Sequence, residues 1–189
     1  MAGWLIGVIV VGAVVVVILV ALAAVRAGRR RSLQRQFGPE YDRAVEQRGS
    51  RRKAERALTE RAERREQFDV TPLPPEKREL YAASWREVQA RFVDAPADAV
   101  QEADVLVAKV MRDCGYPVDG FDDRSDFVSV DHPHLAEDYR AAHRVAVADT
   151  GGKVSTEDRR KAMVHFRSLF DALLGDRSDR DDLTRRQAG

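Results

Sequence analysis

The first 25 residues contain no Asp, Glu, Lys or Arg, and this apolar run constrains the fold more than any other feature. From Trp4 to Val25 it reads WLIGVIVVGAVVVVILVALAAV. As a helix, these residues would span about 33 Å, enough for a hydrocarbon core of about 30 Å. A helix satisfies every backbone polar group within the segment, as a bilayer requires. The sequence therefore predicts a transmembrane helix at residues 1–25.

Basic residues follow the apolar run, and none precedes it. The cluster consists of Arg26, Arg29, Arg30, Arg31 and Arg35. By the positive-inside rule, we expect a single-pass protein of the plasma membrane, with its N-terminus outside and its remainder in the cytoplasm. The same arginines are predicted to contact anionic lipid headgroups. A cleaved signal peptide is the weaker alternative, because it needs a basic start and a shorter apolar core.

Residues 26–70 form a basic juxtamembrane neck, in which residues 26–67 carry 14 basic and 7 acidic side chains. Apolar residues recur every fourth position from Leu33, which predicts a short amphipathic helix interrupted at Gly38-Pro39. Ser50 is a candidate cap for a second helix of about 17 residues. Glutamates interleave with the arginines and no reading motif is present, so nucleic-acid binding is not expected.

Residues 71–75, TPLPP, predict an extended linker, and residues 76–175 predict a small domain resembling a four-helix bundle. The first helix begins near Glu76, and the second begins at Asp94 and stops at Gly115. The third is predicted to start at Asp131 or His132, after a loop with one short helical turn at most. Ser155 caps the fourth. Residues 176–189 are predicted to be a disordered charged tail.

Several stretches resemble a family of uncharacterised bacterial single-pass membrane proteins with an all-helical soluble domain. The stretches are FGPEYDRAVEQRGSRRKAE, WREVQARFVDAPADAVQEAD, RDCGYPVD, VDHPHLAEDYRAAH and KAMVHFRSLFDALL. The resemblance covers most of the chain and extends to its layout of one span, a basic neck and an all-α domain. It implies a bacterial source, and it implies no activity and no catalytic residue.

One polar cluster raises a metal-site hypothesis, with His132, His134 and Asp138 as candidate ligands. His134 and Asp138 are four residues apart and would share a helix face. The competing interpretation is that His132 caps a helix and His134 is solvated. His143 and His165 are expected to be half-buried and hydrogen-bonded. The single cysteine, Cys114, is expected to be a small apolar residue near a helix end, and no cofactor is predicted.

Trp85, Gln89 and Phe92 form a second candidate site, a partner-binding groove beside a helix end. The competing interpretation is that Trp85 anchors the core of the bundle. Taken together, the patterns favour a membrane-tethered helical interaction module with an unidentified protein partner. A metal-dependent enzyme and a self-associating membrane scaffold remain as alternatives.

Overall fold

The protein is all-α. The computed structural model describes the backbone of residues 2–117, 119–148 and 154–175, and the side chains in these ranges except those of 2–15, 22 and 26. The described ranges contain eight helices and no β-strand. The helices are α1 (Ala2–Phe37), α2 (Pro39–Arg48), α3 (Arg51–Glu66), α4 (Pro75–Arg91), α5 (Pro96–Asp113), α6 (Phe121–Asp131), α7 (Ala136–Ala148) and α8 (Thr156–Gly175).

The chain divides into two compact units, residues 1–58 and residues 59–189. The division falls inside α3, whereas the linker at 71–75 was the predicted boundary. Residues 71–74 lie in no helix or strand, and they belong to the second unit, where Leu73 is buried in the core. The backbone N–H of Thr71 also donates to the carbonyl of Cys114, at 2.9 Å.

The first unit buries a small apolar core, to which α1, α2 and the first half of α3 contribute. The buried side chains are Leu33, Phe37, Tyr41, Ala44, Ala54 and Leu58. The helices predicted in this region are present, as the end of α1 and as α2 and α3. Gly38 separates α1 from α2 with a φ of 47°, at the interruption that the sequence predicted. Gly49, for which no role was predicted, ends α2 with a φ of 61°. Positive φ at such helix ends strongly favours glycine.

The second unit is organised around α5, which packs against α4, α7 and α8. One face of α5 is fully apolar and buried, from Ala99 to Met111. The α8 helix adds Phe166, Leu169 and Phe170, and Tyr139 enters from α7. These four helices are the ones that the apolar periodicity of residues 76–175 predicts.

A fifth helix of the second unit, α6, departs from the prediction. A loop with at most one helical turn was expected before Asp131, but α6 runs for 11 residues, and α7 begins at Ala136 rather than at Asp131 or His132. Asp, Ser and Val are weak helix formers, so this segment carries little local signal. Tertiary contacts stabilise the helix instead: Phe127 and Val128 are buried in the core, and three of its aspartates pair with arginines of α3.

Among the residues that could be searched, no helix combines the length and the apolar character that crossing a membrane requires. Most of the predicted span lies outside the described side chains, because those of residues 1–15 and 22 are not described. The predicted tail, residues 176–189, also lies outside the described residues.

Candidate functional site

The second unit contains a pocket of about 160 Å³ where α5, α6 and α8 end. It is lined by polar and apolar groups, including Arg65, Cys114, Tyr116, Asp131, His132 and Leu173. Unpaired carbonyls at helix C-termini give such a location a negative partial charge, which favours cationic neighbours. Arg65 at the wall of the pocket fits this electrostatic setting.

Asp131 joins two walls of the pocket through a single carboxylate oxygen. Its Oδ2 accepts hydrogen bonds from Arg65 Nε and from the Tyr116 hydroxyl, both at 2.6 Å. The Arg65 guanidinium also lies over the Tyr116 ring, 5.5 Å from its centroid. Charge-assisted bonds of this kind are stronger than neutral ones. The network therefore ties the end of α3 to α6 and to the segment that follows α5.

Gly115 places Tyr116 at the pocket by reversing the chain at the end of α5. Its φ is 95°, and the N–H groups of Gly115 and Tyr116 donate to the carbonyls of Arg112 and Met111. This pair of bonds is the Schellman arrangement for ending a helix. A Cβ at Gly115 would lie 2.5 Å from the carbonyl oxygen of Asp69, so the close approach of the chain also requires glycine.

Two titratable groups that line the pocket, the Cys114 thiol and the Tyr116 hydroxyl, are held in their neutral forms. Burial raises the pKa of the Cys114 thiol to about 11, and the carboxylate of Asp113 adds to the effect. Burial also raises the pKa of the Tyr116 hydroxyl well above its ordinary value, with the adjacent Asp131 as the next cause. A protonated thiol is a poor nucleophile. The arrangement suits the binding of a small polar group better than covalent catalysis.

The three candidate metal ligands are placed in different surroundings. His132 is buried and follows the last residue of α6. Its backbone N–H donates to the carbonyl of Val128 at 2.8 Å. His134 is exposed in the turn before α7. The Asp138 carboxylate on α7 pairs with His165 Nδ1 at 3.2 Å. In the described part of the chain, no three His, Cys, Asp or Glu side chains are arranged to hold a metal ion.

The other two histidines are half-buried and paired, as the sequence predicted. His165 has Asp138 as its partner, and His143 Nδ1 lies 2.9 Å from Asp104 Oδ2. The His143 ring also stacks on Phe121, with centroids 3.6 Å apart. The Asp104–His143 pair was missed, because its members are 39 residues apart and lie on helices whose packing no local pattern specifies.

The candidate partner groove does not form from the three predicted residues as a set. Trp85 is buried and stacks on Phe170, with centroids 4.8 Å apart, so it is a core residue. Phe92 packs partly against the core, while Gln89 is exposed. A concave surface does lie between α4 and α5, with Val88 and Leu106 among its apolar members and the exposed Val105 beside them.

The predicted membrane-contact arginines fall into distinct environments in the first unit. Arg30 is half-buried and interacts with the Tyr41 hydroxyl, which also donates to Glu55 Oε1 at 2.8 Å. Arg29 has an interaction partner. Arg31 and Arg35 are exposed, beside Gly28, Ser32 and Gln36, in a shallow depression along α1.

The side chain of Arg26 lies outside the described residues. The sequence presents these arginines as one cluster, because their differences arise from packing: α2 and α3 cover one side of α1 and leave the other side exposed.

No protein-family model, curated protein or solved structure matches this chain. The interpretation of its function therefore rests on its own residues.

Proposed function

We propose that the chain is a single-pass membrane protein, anchored by its first 25 residues, that presents an all-α interaction module on the cytoplasmic side of the plasma membrane. The observation that carries this proposal is the exposed surface of α1. Five consecutive apolar residues, Val16 to Val20, are each 51–66% exposed. Consecutive helical residues point about 100° apart, so these five side chains surround the helix.

An apolar surface on every side of a helix distinguishes it from a helix at the surface of a water-soluble domain. A surface helix buries one apolar stripe and exposes a polar face. Val16 to Val20 expose apolar groups in all directions, and no charged residue occurs between Met1 and Val25. Hydrocarbon is the solvent that suits such a surface, and the arginines from Arg26 onward favour the cytoplasmic side for the rest of the chain.

The role of an interaction module is supported by the chemistry of the second unit. Its cysteine is protonated at neutral pH, and two of its histidines are paired with carboxylates. The surface between α4 and α5 combines apolar groups with charges of both signs, such as Glu87, Arg91 and Lys109. Protein partners commonly bind at surfaces with an apolar centre and a charged rim.

The anchor is tested by introducing charge into the span. In the full chain, the double variant Val14→Asp/Val17→Asp should be released from membranes by alkaline carbonate, because each carboxylate disfavours insertion by about 3 kcal/mol. The matched control is Val147→Asp/Val164→Asp, which changes exposed valines of the second unit, 58% and 51% exposed. We expect the control and the wild type to stay in the membrane. Extraction of the wild type would refute the anchor.

The orientation is tested by labelling single cysteines with a membrane-impermeant maleimide. Cys114 is buried and protonated, so it gives little background. We expect Ala2→Cys to be labelled in spheroplasts, and Ala90→Cys, at an exposed position of α4, to be labelled only after permeabilisation. The opposite pattern would show the reverse topology while leaving the anchor intact.

A further inference from the structure

We infer that Arg31 and Arg35 form a binding site for the phosphate group of an anionic phospholipid in the leaflet next to the neck. This inference rests on the proposed function, because it takes residues 1–25 as the span. It separates two arginines from the five that follow the apolar run and gives them a specific ligand.

The last three turns of α1 have one covered side and one bare side. Leu33 and Phe37 are buried in the core of the first unit, and Arg30 is half-buried on the same side. The bare side consists of Gly28, Arg31, Ser32, Arg35 and Gln36, all of them exposed. Their spacing of i, i+3, i+4, i+7 and i+8 places them along one face of the helix.

Two like charges on this bare face are left without a counter-charge. Arg31 and Arg35 are four residues apart, and neither makes a hydrogen bond or an ion pair with any described residue. Guanidinium groups stay protonated at any physiological pH, and like charges at this spacing repel each other. A phosphate between them would replace the repulsion with charge-assisted, forked hydrogen bonds.

The neighbouring side chains add neutral hydrogen-bonding groups and space. Ser84 and Ser168, which are also inside helices, donate to the carbonyls four residues earlier, whereas Ser32 makes no bond with the described residues. Its hydroxyl is therefore available to a ligand. One turn closer to the proposed span, a Cβ at Gly28 would meet nothing within 4 Å, so a phosphate has room beside the helix.

The position of the site along α1 selects a lipid as the source of the phosphate. Arg31 lies about 9 Å beyond Val25 along the helix axis, just outside a headgroup layer about 5–8 Å thick, and Arg35 lies about one helical turn further out, about 15 Å beyond Val25. The Cα–Cβ bonds of a helix tilt toward its N-terminus, which here is the membrane side. Both long side chains thus extend back toward the phosphates.

The test measures lipid binding by the full chain in nonionic micelles, with native mass spectrometry as the readout. Phosphatidylglycerol is the probe, and phosphatidylcholine, a zwitterion of zero net charge, is the comparison. We expect wild type to retain phosphatidylglycerol, and R31Q/R35Q to bind it at least about tenfold more weakly. The matched control is R51Q/R52Q, which removes the same charge from exposed positions of α3 that point in different directions. It should change the affinity less than about twofold.

A second variant, Gly28→Leu, keeps every charge and favours the helix, yet fills the space beside Ser32. It should also weaken phosphatidylglycerol binding. The inference fails if R31Q/R35Q and the control R51Q/R52Q lose the same affinity for phosphatidylglycerol. It also fails if R31Q/R35Q or Gly28→Leu binds phosphatidylglycerol as tightly as wild type.

Inorganic phosphate is tested as a competitor. If it displaces phosphatidylglycerol at a concentration equal to that of the lipid, the site binds soluble phosphate and the inference is refuted.

The anchor is measured separately on the same variants by carbonate extraction. We expect R31Q/R35Q to stay in the membrane like wild type, because the span is unchanged. Retention together with intact lipid binding would reject the phosphate site and leave the proposed function standing, whereas extraction of wild type would reject the anchor itself.

Discussion

At the scale of single residues, the end of α5 carries the strictest requirements in the described part of the chain. Gly115 combines a φ of 95° with a close approach to the carbonyl of Asp69. Cys114, its neighbour, is buried, and burial raises the pKa of its thiol to about 11. Cys114 lines the pocket of the second unit, and Gly115 lies between Cys114 and a second lining residue, Tyr116.

Replacing Gly115 with alanine should destabilise the second unit by about 3 kcal/mol, because the new Cβ adds both backbone strain and a steric clash. Urea unfolding of the full chain in micelles can be monitored by the fluorescence of Trp85 in a Trp4→Phe background. We expect a lower urea concentration at the midpoint and an unchanged dependence of the unfolding free energy on urea. The control is Gly120→Ala, since Gly120 has an extended φ of −156° and open space around its Cα. Similar losses in the two variants would contradict the explanation.

Cys114 should react slowly with thiol reagents while the protein is folded. With a pKa of about 11, against 9.0 for an ordinary thiol, labelling at pH 8 should be at least about a hundredfold slower than in the unfolded chain. Between pH 9 and 11 the unfolded thiol ionises first, so stability should fall as pH rises. Cys114→Ala should reduce that fall. Rapid labelling of the native protein would show that the thiol is accessible.

At the scale of elements, helix α6 depends on its neighbours. Arg61 and Arg64 of α3 both contact the carboxylate of Asp126, at 2.9 Å, and Arg65 contacts Asp131. Burial raises the pKa of Asp126, although the two arginines oppose the shift. Partly exposed ion pairs contribute little free energy each, so these contacts add a smaller part of the stability of α6 than the burial of Phe127 and Val128 does.

The bond between Asp131 and Tyr116 should be the strongest single link between α6 and the end of α5. A double-mutant cycle of Asp131→Ala and Tyr116→Phe should give a coupling free energy of about 1 kcal/mol or more, because the buried hydroxyl loses its acceptor. The matched pair is Tyr81 and Asp113, which form a bond of 3.0 Å between the same residue types in an exposed setting. Its coupling should be near zero, and equal couplings would argue against burial as the cause.

At the scale of the whole molecule, the division inside α3 has a consequence for the limits of the folded domain. Thr59 to Glu66 belongs to the second unit, along with the segment that leads to α4. Leu73 is buried there, and Phe68 packs edge-on against Phe127 with centroids 5.4 Å apart. A domain that began at residue 76 would lack all of these contacts.

A fragment of residues 59–189 should therefore fold cooperatively, and a fragment of residues 76–189 should be less stable by about 3 kcal/mol. The loss of Leu73 burial accounts for about 2 kcal/mol, and the arginine partners of α6 and the Phe68 contact account for the rest. Urea unfolding of the two fragments measures the difference. Equal stability would place the domain boundary at the proline-rich segment after all.

The sequence alone determined the features that local patterns encode. The all-α class and the helices around residues 76–91 and 96–113 follow from apolar spacing at helical periodicity. Gly38 and Gly115 mark helix ends because few other residues accept a positive φ. The half-buried, hydrogen-bonded state of His143 and His165 was also predicted, although neither of their partners, Asp104 and Asp138, was identified.

Tertiary structure decided what depends on contacts distant in sequence. The residues of α6 have a weak propensity for helix, and the helix forms because its aspartates pair with arginines of α3 and its apolar residues pack into the core. Trp85 turns into the core, because Phe170 lies opposite it. The arginines after the apolar run look alike in sequence, yet packing covers Arg30 and leaves Arg31 and Arg35 bare. Burial and pairing are properties of neighbours in space, and a residue's own identity does not specify them.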